Sequence, residues 1–120
     1  MTRLLALLFL LALPAAAEDK LALVMVEREG CAYCARWDAE IAPIWPKTEV
    51  GQAAPLRRVA FDALPGDLSL EGKPPFTPTF ILVRNGVELD RLEGYSGEHF
   101  FWPLVERMVA DAQRSDGNDP

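Results

Sequence analysis

The chain has 120 residues, a formal net charge of −6 and 50% apolar residues. That is enough for one packed domain and too little for two, and so acidic a surface repels phosphate backbones, which excludes nucleic acid as a ligand. Two cysteines and one histidine fall short of the roughly four ligands of a structural zinc site, unless two chains share one.

The first seventeen residues read as an export signal. Arg3 supplies the positive start, Leu4 to Leu13 is an unbroken apolar run, Pro14 breaks it, and Ala15-Ala16-Ala17 fits a small-residue cleavage site. The run is shorter than the roughly 20 apolar residues of a membrane span. No second span follows, so cleavage leaves no stable membrane anchor, and the expected location is the periplasm. The predicted organisation is a signal peptide over 1–17, one domain over 18–114 and a polar, disordered tail over 115–120.

Leu21 to Val26 is a continuous apolar run and predicts a strand buried on both faces. Glu27 to Gly30 is a polar loop. From Ala32 the spacing turns helical, with Cys34, Trp37, Ile41 and Ile44 on one face, until Pro43 and Pro46 bend or end the helix. A loop containing Gly51 leads to a second strand, Leu56 to Phe61, parallel to the first through a right-handed crossover. Ala63 to Thr77, rich in Pro and Gly, predicts a loop with at most one helical turn.

Thr79 to Val83 is strongly β-prone, and Asn85-Gly86 marks a hairpin into Val87 to Leu92. Glu98 to Arg114 predicts the last helix, with Phe101, Leu104, Val105, Met108 and Ala112 inward. Pro103 fits its first turn, which argues for a later helix start. The order, βαβ, loop, β-hairpin, α, predicts an α/β domain: a mixed sheet of about four strands with helices on its faces.

Cys31-Ala32-Tyr33-Cys34 stands where the first strand gives way to the first helix. A sulfur at a helix N-terminus meets unpaired N–H groups and the positive end of the dipole. Both stabilise a thiolate and lower the ordinary thiol pKa of about 8.5. Cys31 then reads as the nucleophile, and Cys34, one turn in, as the thiol that resolves the mixed disulfide. The implied partner is a protein disulfide, and the exchange needs no cofactor. A bond across so short a ring adds little as a staple. Haem attachment needs a histidine where Ala35 stands. A non-catalytic binding module and a dithiol metal carrier remain alternatives. Trp37, Trp45 and Trp102 read as core or rim, and His99 as a surface residue.

Phe76-Thr77-Pro78-Thr79 adds a second element, a proline opening a β-run where it cannot donate to the ladder. With the cysteine pair, this resembles the thioredoxin superfamily over about Leu21 to Arg114. The resemblance implies a thioredoxin-like fold with a cis proline at Pro78 beside the cysteines, and a Thr77 backbone that pairs with substrate. Tyr33, between the cysteines, stands near the chemistry, and Gly94 and Tyr95 fall in a loop that approaches the pair in this fold. The stretch from Glu27 to Trp37, and on to Pro46, is similar to the SoxS family of periplasmic thioredoxin-like proteins of bacterial sulfur-oxidation clusters. That similarity implies reduction or reactivation of the sulfur-carrier protein of the Sox pathway. The same two sulfurs serve reduction and oxidation, and if the chain reduces, an oxidising periplasm demands an electron donor, for which a membrane dithiol is the candidate. The pattern departs from thioredoxins proper in three places. Gly30 replaces a tryptophan, Ala32-Tyr33 replaces Gly-Pro, and Met25 stands in place of a buried aspartate that assists proton transfer. Glu27 is the nearest carboxylate for that task.

Overall fold

The computed structural model describes residues 19–117, so the expected signal peptide, 1–17, lies outside the described residues. The elements are β1 (Leu21–Glu27), α1 (Ala32–Glu40), a 3-10 turn (Trp45–Lys47), α2 (Glu49–Ala53), β2 (Leu56–Ala60), β3 (Thr79–Arg84), β4 (Val87–Glu93) and α3 (Glu98–Gly117). The sheet order is β2-β1-β3-β4. β1 runs parallel to β2 and antiparallel to β3, and β3 and β4 form the expected hairpin. Asn85 and Gly86 both take positive φ, 51° and 81°, as a two-residue turn matched to strand twist requires. The Asn85 side chain accepts from the Lys20 backbone N–H at 2.9 Å, tying the turn to the entry of β1.

Alternation along β1 divides its side chains between two cores. Leu23 and Met25 join Phe80 and Leu82 under Trp37, Ile41, Phe101, Val105 and Met108. Val24 and Val26 join Val59, Ile81 and Val83 on the opposite face. The three helices pack on the first face. Phe61, Leu64, Leu68 and Leu70 from the long loop cover the second. Pro65, Pro74 and Pro75 keep that segment out of a helix, while its leucines supply apolar cover. The same loop closes the start of the β4 edge, where Ser69 bridges to Val87, its N–H donating to the Gly86 carbonyl and its carbonyl accepting from the Glu88 N–H.

Four local expectations change. α1 ends at Glu40, so Ile44 turns outward, 46% exposed, and Trp45 fills the core instead. α3 begins at Glu98 despite Pro103, which lies in its second turn on an exposed side. Water there can serve the carbonyl that loses its helical donor. Val109 rather than Leu104 belongs to the buried face. The helix also continues through Ser115 to Gly117, where a disordered tail was expected. The Ser115 hydroxyl donates to the Asp111 carbonyl, and Arg84 pairs with Asp116 at 3.0 Å.

α2 forms where the sequence predicts a loop. Thr48 caps it, its hydroxyl accepting from the Gly51 N–H at 3.0 Å and donating to the Trp45 carbonyl at 2.8 Å. Gly51 is required by proximity: a Cβ there would lie 1.7 Å from the Trp45 carbonyl oxygen. Gly51→Ala is therefore expected to destabilise the fold by about 3 kcal/mol, the upper part of the usual cost of overpacking. Gly66, with open space around it, is the control: Gly66→Ala is expected to stay within about 0.5 kcal/mol. Urea denaturation reads both.

Candidate active site

β1 delivers the chain to the site and Gly30 redirects it. Gly30 has φ +73°, with nothing within 4 Å of where a Cβ would sit, so the backbone angle rather than space calls for glycine. Cys31 is the N-cap of α1, its sulfur accepting from the Cys34 backbone N–H at 3.2 Å. No acidic side chain occupies the first turn of α1, so the positive end of the helix dipole faces the sulfur undiminished. Cys31 and Cys34 are joined as a disulfide, with Cα atoms 5.2 Å apart. The two sulfurs differ in access. Cys31 is half-buried, whereas Cys34 is 4% exposed and belongs to the apolar core.

Two open grooves flank the Cys31–Cys34 segment, one lined by both cysteines and the other by Tyr33 between them. One, of about 650 Å³, is lined by Glu27, Gly30, Cys31, Cys34, Asp38 and Arg58. Glu27 thus shares a groove with both cysteines, but its carboxylate is engaged: it accepts from Arg58 at 2.7 Å, and Arg58 also donates to Asp38 at 2.8 Å. Strand register brings Arg58 beside Met25, whose sulfur is 3.6 Å from the guanidinium. Arg58 also lies over the Trp37 ring, 5.9 Å from its centroid.

The second groove, of about 540 Å³, is lined by Tyr33, Arg36, Thr77, Pro78, Gly94 and Tyr95, with Phe76, Glu93 and Ser96 at its margin. The Thr77–Pro78 peptide is cis. The loop is pinned on both sides, since the Gly94 N–H donates to the Pro78 carbonyl at 2.8 Å and the Thr79 hydroxyl donates to the Phe76 carbonyl at 2.8 Å. The Thr77 hydroxyl is buried and finds no hydrogen-bond partner among the described residues. Tyr33, 59% exposed, and Phe76, 46% exposed, give the groove an aromatic rim.

Tyr95 packs against Phe101 in the core, and only its edge reaches the groove. Its hydroxyl donates to the Glu40 carboxylate, which also accepts from Arg36 Nε at 2.8 Å. These two donors hold the Glu40 carboxyl below the usual carboxylate range. Burial, and then the neighbouring carboxylate, push the Tyr95 hydroxyl well above the usual phenol range, so it stays a donor at neutral pH. His99 is exposed at the start of α3.

Sequence reasoning picked out the cysteines, Tyr33, Glu27, Thr77, Pro78, Gly94 and Tyr95, and the two grooves gather all of them. It missed Arg36, Glu40, Asp38, Arg58 and Phe76. The four-residue spacing of Arg36 and Glu40 on one helix was a usable signal. Arg58 carried none, because its place depends on the register between β1 and β2. Among the described residues, no three His, Cys, Asp or Glu side chains gather as a metal site.

No protein-family model and no curated protein matches the chain. The fold is similar to the crystal structure of the periplasmic thioredoxin SoxS from Paracoccus pantotrophus in its reduced form. The two are 53% identical with a TM-score of 0.75, over 78% of this chain and 99% of that one. Thioredoxin-2 of a malaria parasite is 18% identical with a TM-score of 0.54, over 77% of this chain and 86% of its own. The Malassezia sympodialis thioredoxin Mala s 13 is 17% identical with a TM-score of 0.50, over 76% of each chain. These two distant neighbours share the fold alone. Identity with SoxS over almost all of that protein, together with a paired Cys31 and Cys34 at a helix start, places function as well as fold: the chain is a thiol–disulfide oxidoreductase belonging to the thioredoxin superfamily, on its SoxS-like branch.

Proposed function

We propose that the chain is an exported, periplasmic reductant that restores a blocked cysteine on a sulfur-carrier protein of the Sox type. The observation that carries the chemistry is the unequal access of the two sulfurs, Cys31 half-open at the N-cap and Cys34 buried beneath it. The apolar Leu4–Leu13 run and the similarity to a periplasmic thioredoxin support the location. The similarity to SoxS supports the partner.

In the reduced protein, the Cys31 thiolate attacks one sulfur of the partner's disulfide. A Cys31–partner bond forms, and the other sulfur leaves as a thiolate that takes a proton from water. Cys34 then gives up its proton into the groove it shares with Glu27 and attacks Cys31. The partner's second sulfur leaves, and the chain holds the Cys31–Cys34 bond. Two electrons have passed to the partner, and a membrane dithiol returns them. Thr77 pairs its backbone with the partner chain beside Pro78, while Tyr33, Gly94 and the edge of Tyr95 bound the groove that receives it.

The test is direct. A Sox-type carrier whose cysteine is blocked by a small thiol is mixed anaerobically with the reduced protein. Release of one equivalent of small thiol per Cys31–Cys34 bond formed is the expected result. No release, alongside ready reduction of an unrelated protein disulfide, would remove the carrier assignment and leave the oxidoreductase.

A further inference from the structure

Arg36 has no part in the exchange described above, yet it lies in the groove beside Tyr33, Thr77 and Pro78. Its position is fixed three ways. Nε donates to Glu40 at 2.8 Å, the guanidinium lies over the Tyr95 ring at 5.5 Å, and Gly97 makes room for it: a Cβ there would come within 3.3 Å of an Nη atom. Glu40 cannot swing away easily, because the buried Tyr95 hydroxyl holds its other oxygen. Nε is thereby used, and the outer Nη edge of the fork has no partner among the described residues. An outer edge of this kind receives a carboxylate through two parallel N–H bonds. Glu93, the other charged group at the groove, lies 3.8 Å from Arg91. Arg36 is therefore the groove's one side chain with cationic donors to spare.

We infer that Arg36 is a specificity residue, which selects protein partners carrying a carboxylate next to the cysteine to be reduced. The inference rests on the proposed seating of the partner chain against Thr77 and Pro78. Aromatic surface at Tyr33 and Phe76 shields that seat from water in part, which strengthens a charged pair formed there. The guanidinium is already held, so little side-chain freedom is lost when the carboxylate arrives. The occupant is an extended protein segment, and its acidic residue flanks the reacting sulfur.

Two peptide disulfides, identical except for Asp or Asn on both sides of the cysteine, test this. The readout is the ratio of their kcat/KM values within each protein variant, so any general effect of a substitution cancels. The intact protein is expected to favour the Asp peptide about threefold to tenfold, the range of a partly shielded charged pair. The difference should lie mainly in KM and shrink at high salt. Arg36→Gln is expected to bring the ratio to one or below, since Glu40 then faces the groove without its cation, and Arg36→Lys should keep part of the preference. Equal rates for the two peptides with the intact protein would overturn the inference and leave the exchange mechanism standing, as would an undiminished Asp preference in Arg36→Gln. Failure of both peptides to react at all would overturn both.

Discussion

Cys31→Ser is expected to lower turnover by about 10³-fold or more, the scale on which loss of a covalent nucleophile acts. The serine hydroxyl can still cap α1, so the fold is expected to survive and the loss to be chemical. Cys34→Ser is expected to behave differently. Its Cys31 can attack once, but no second sulfur lies beneath it to complete the exchange, so a covalent complex with the partner accumulates. The measurement is an anaerobic disulfide-reduction assay run beside non-reducing electrophoresis. The assignment fails if Cys31→Ser traps the partner while Cys34→Ser keeps turning over. The roles would then be reversed, against the burial of the two sulfurs: Cys34 is 4% exposed and packed among core side chains.

Phe101→Ala carries the largest expected cost in stability. Its ring lies 5.1 Å from Phe80, 5.8 Å from Trp37, 6.0 Å from Trp45 and Tyr95, and 5.6 Å from Trp102, centroid to centroid. All five are edge-to-face pairs, which add to the burial of area itself. Truncation leaves a cavity that rigid aromatic neighbours cannot collapse into, so the loss should be about 3–5 kcal/mol. For a domain stabilised by about 5–15 kcal/mol in total, that approaches global unfolding. Phe100, the next residue and 64% exposed, is the control, and its alanine variant is expected to stay within about 0.5 kcal/mol. Parallel urea titrations decide the matter. A Phe101→Ala midpoint near that of Phe100→Ala would mean the aromatic cluster is not the keystone its geometry implies.

Where sequence succeeded, periodicity and punctuation agreed. β1 is apolar without a break, Gly30 and the cysteines mark the start of α1, and Asn85-Gly86 sets the hairpin. The misses have other causes. The five-residue α2 is too short for a period to show, and its glycine reads as a breaker until the Trp45 carbonyl is seen against it. Ile44 fitted the helical stripe, but the helix stops at Glu40, and beyond that point the stripe means nothing. Leu64, Leu68 and Leu70 gave no sign that they substitute for a helix as sheet cover. At the site, the cysteines and Pro78 were legible because their residue types are chemically specific. Arg58 and the contact between Tyr95 and Glu40 were not, because strand register alone places the first and tertiary packing alone brings a loop tyrosine to a helix glutamate.

The loop that shields the second sheet face also settles how the molecule meets its own kind. A border strand with idle backbone groups invites another chain to zip onto it. On β4, Ser69 occupies those groups at the strand's beginning, and Arg91 reaches back to the carbonyls of Glu71 and Gly72. Further along, Asp90, Arg91 and Glu93 present charge to any copy that approaches, and the bulge at Leu82–Val83 breaks the flat register that stacking requires. A small oxidoreductase that must present reactive sulfur to strangers is thus guarded along this flank against polymerising with itself.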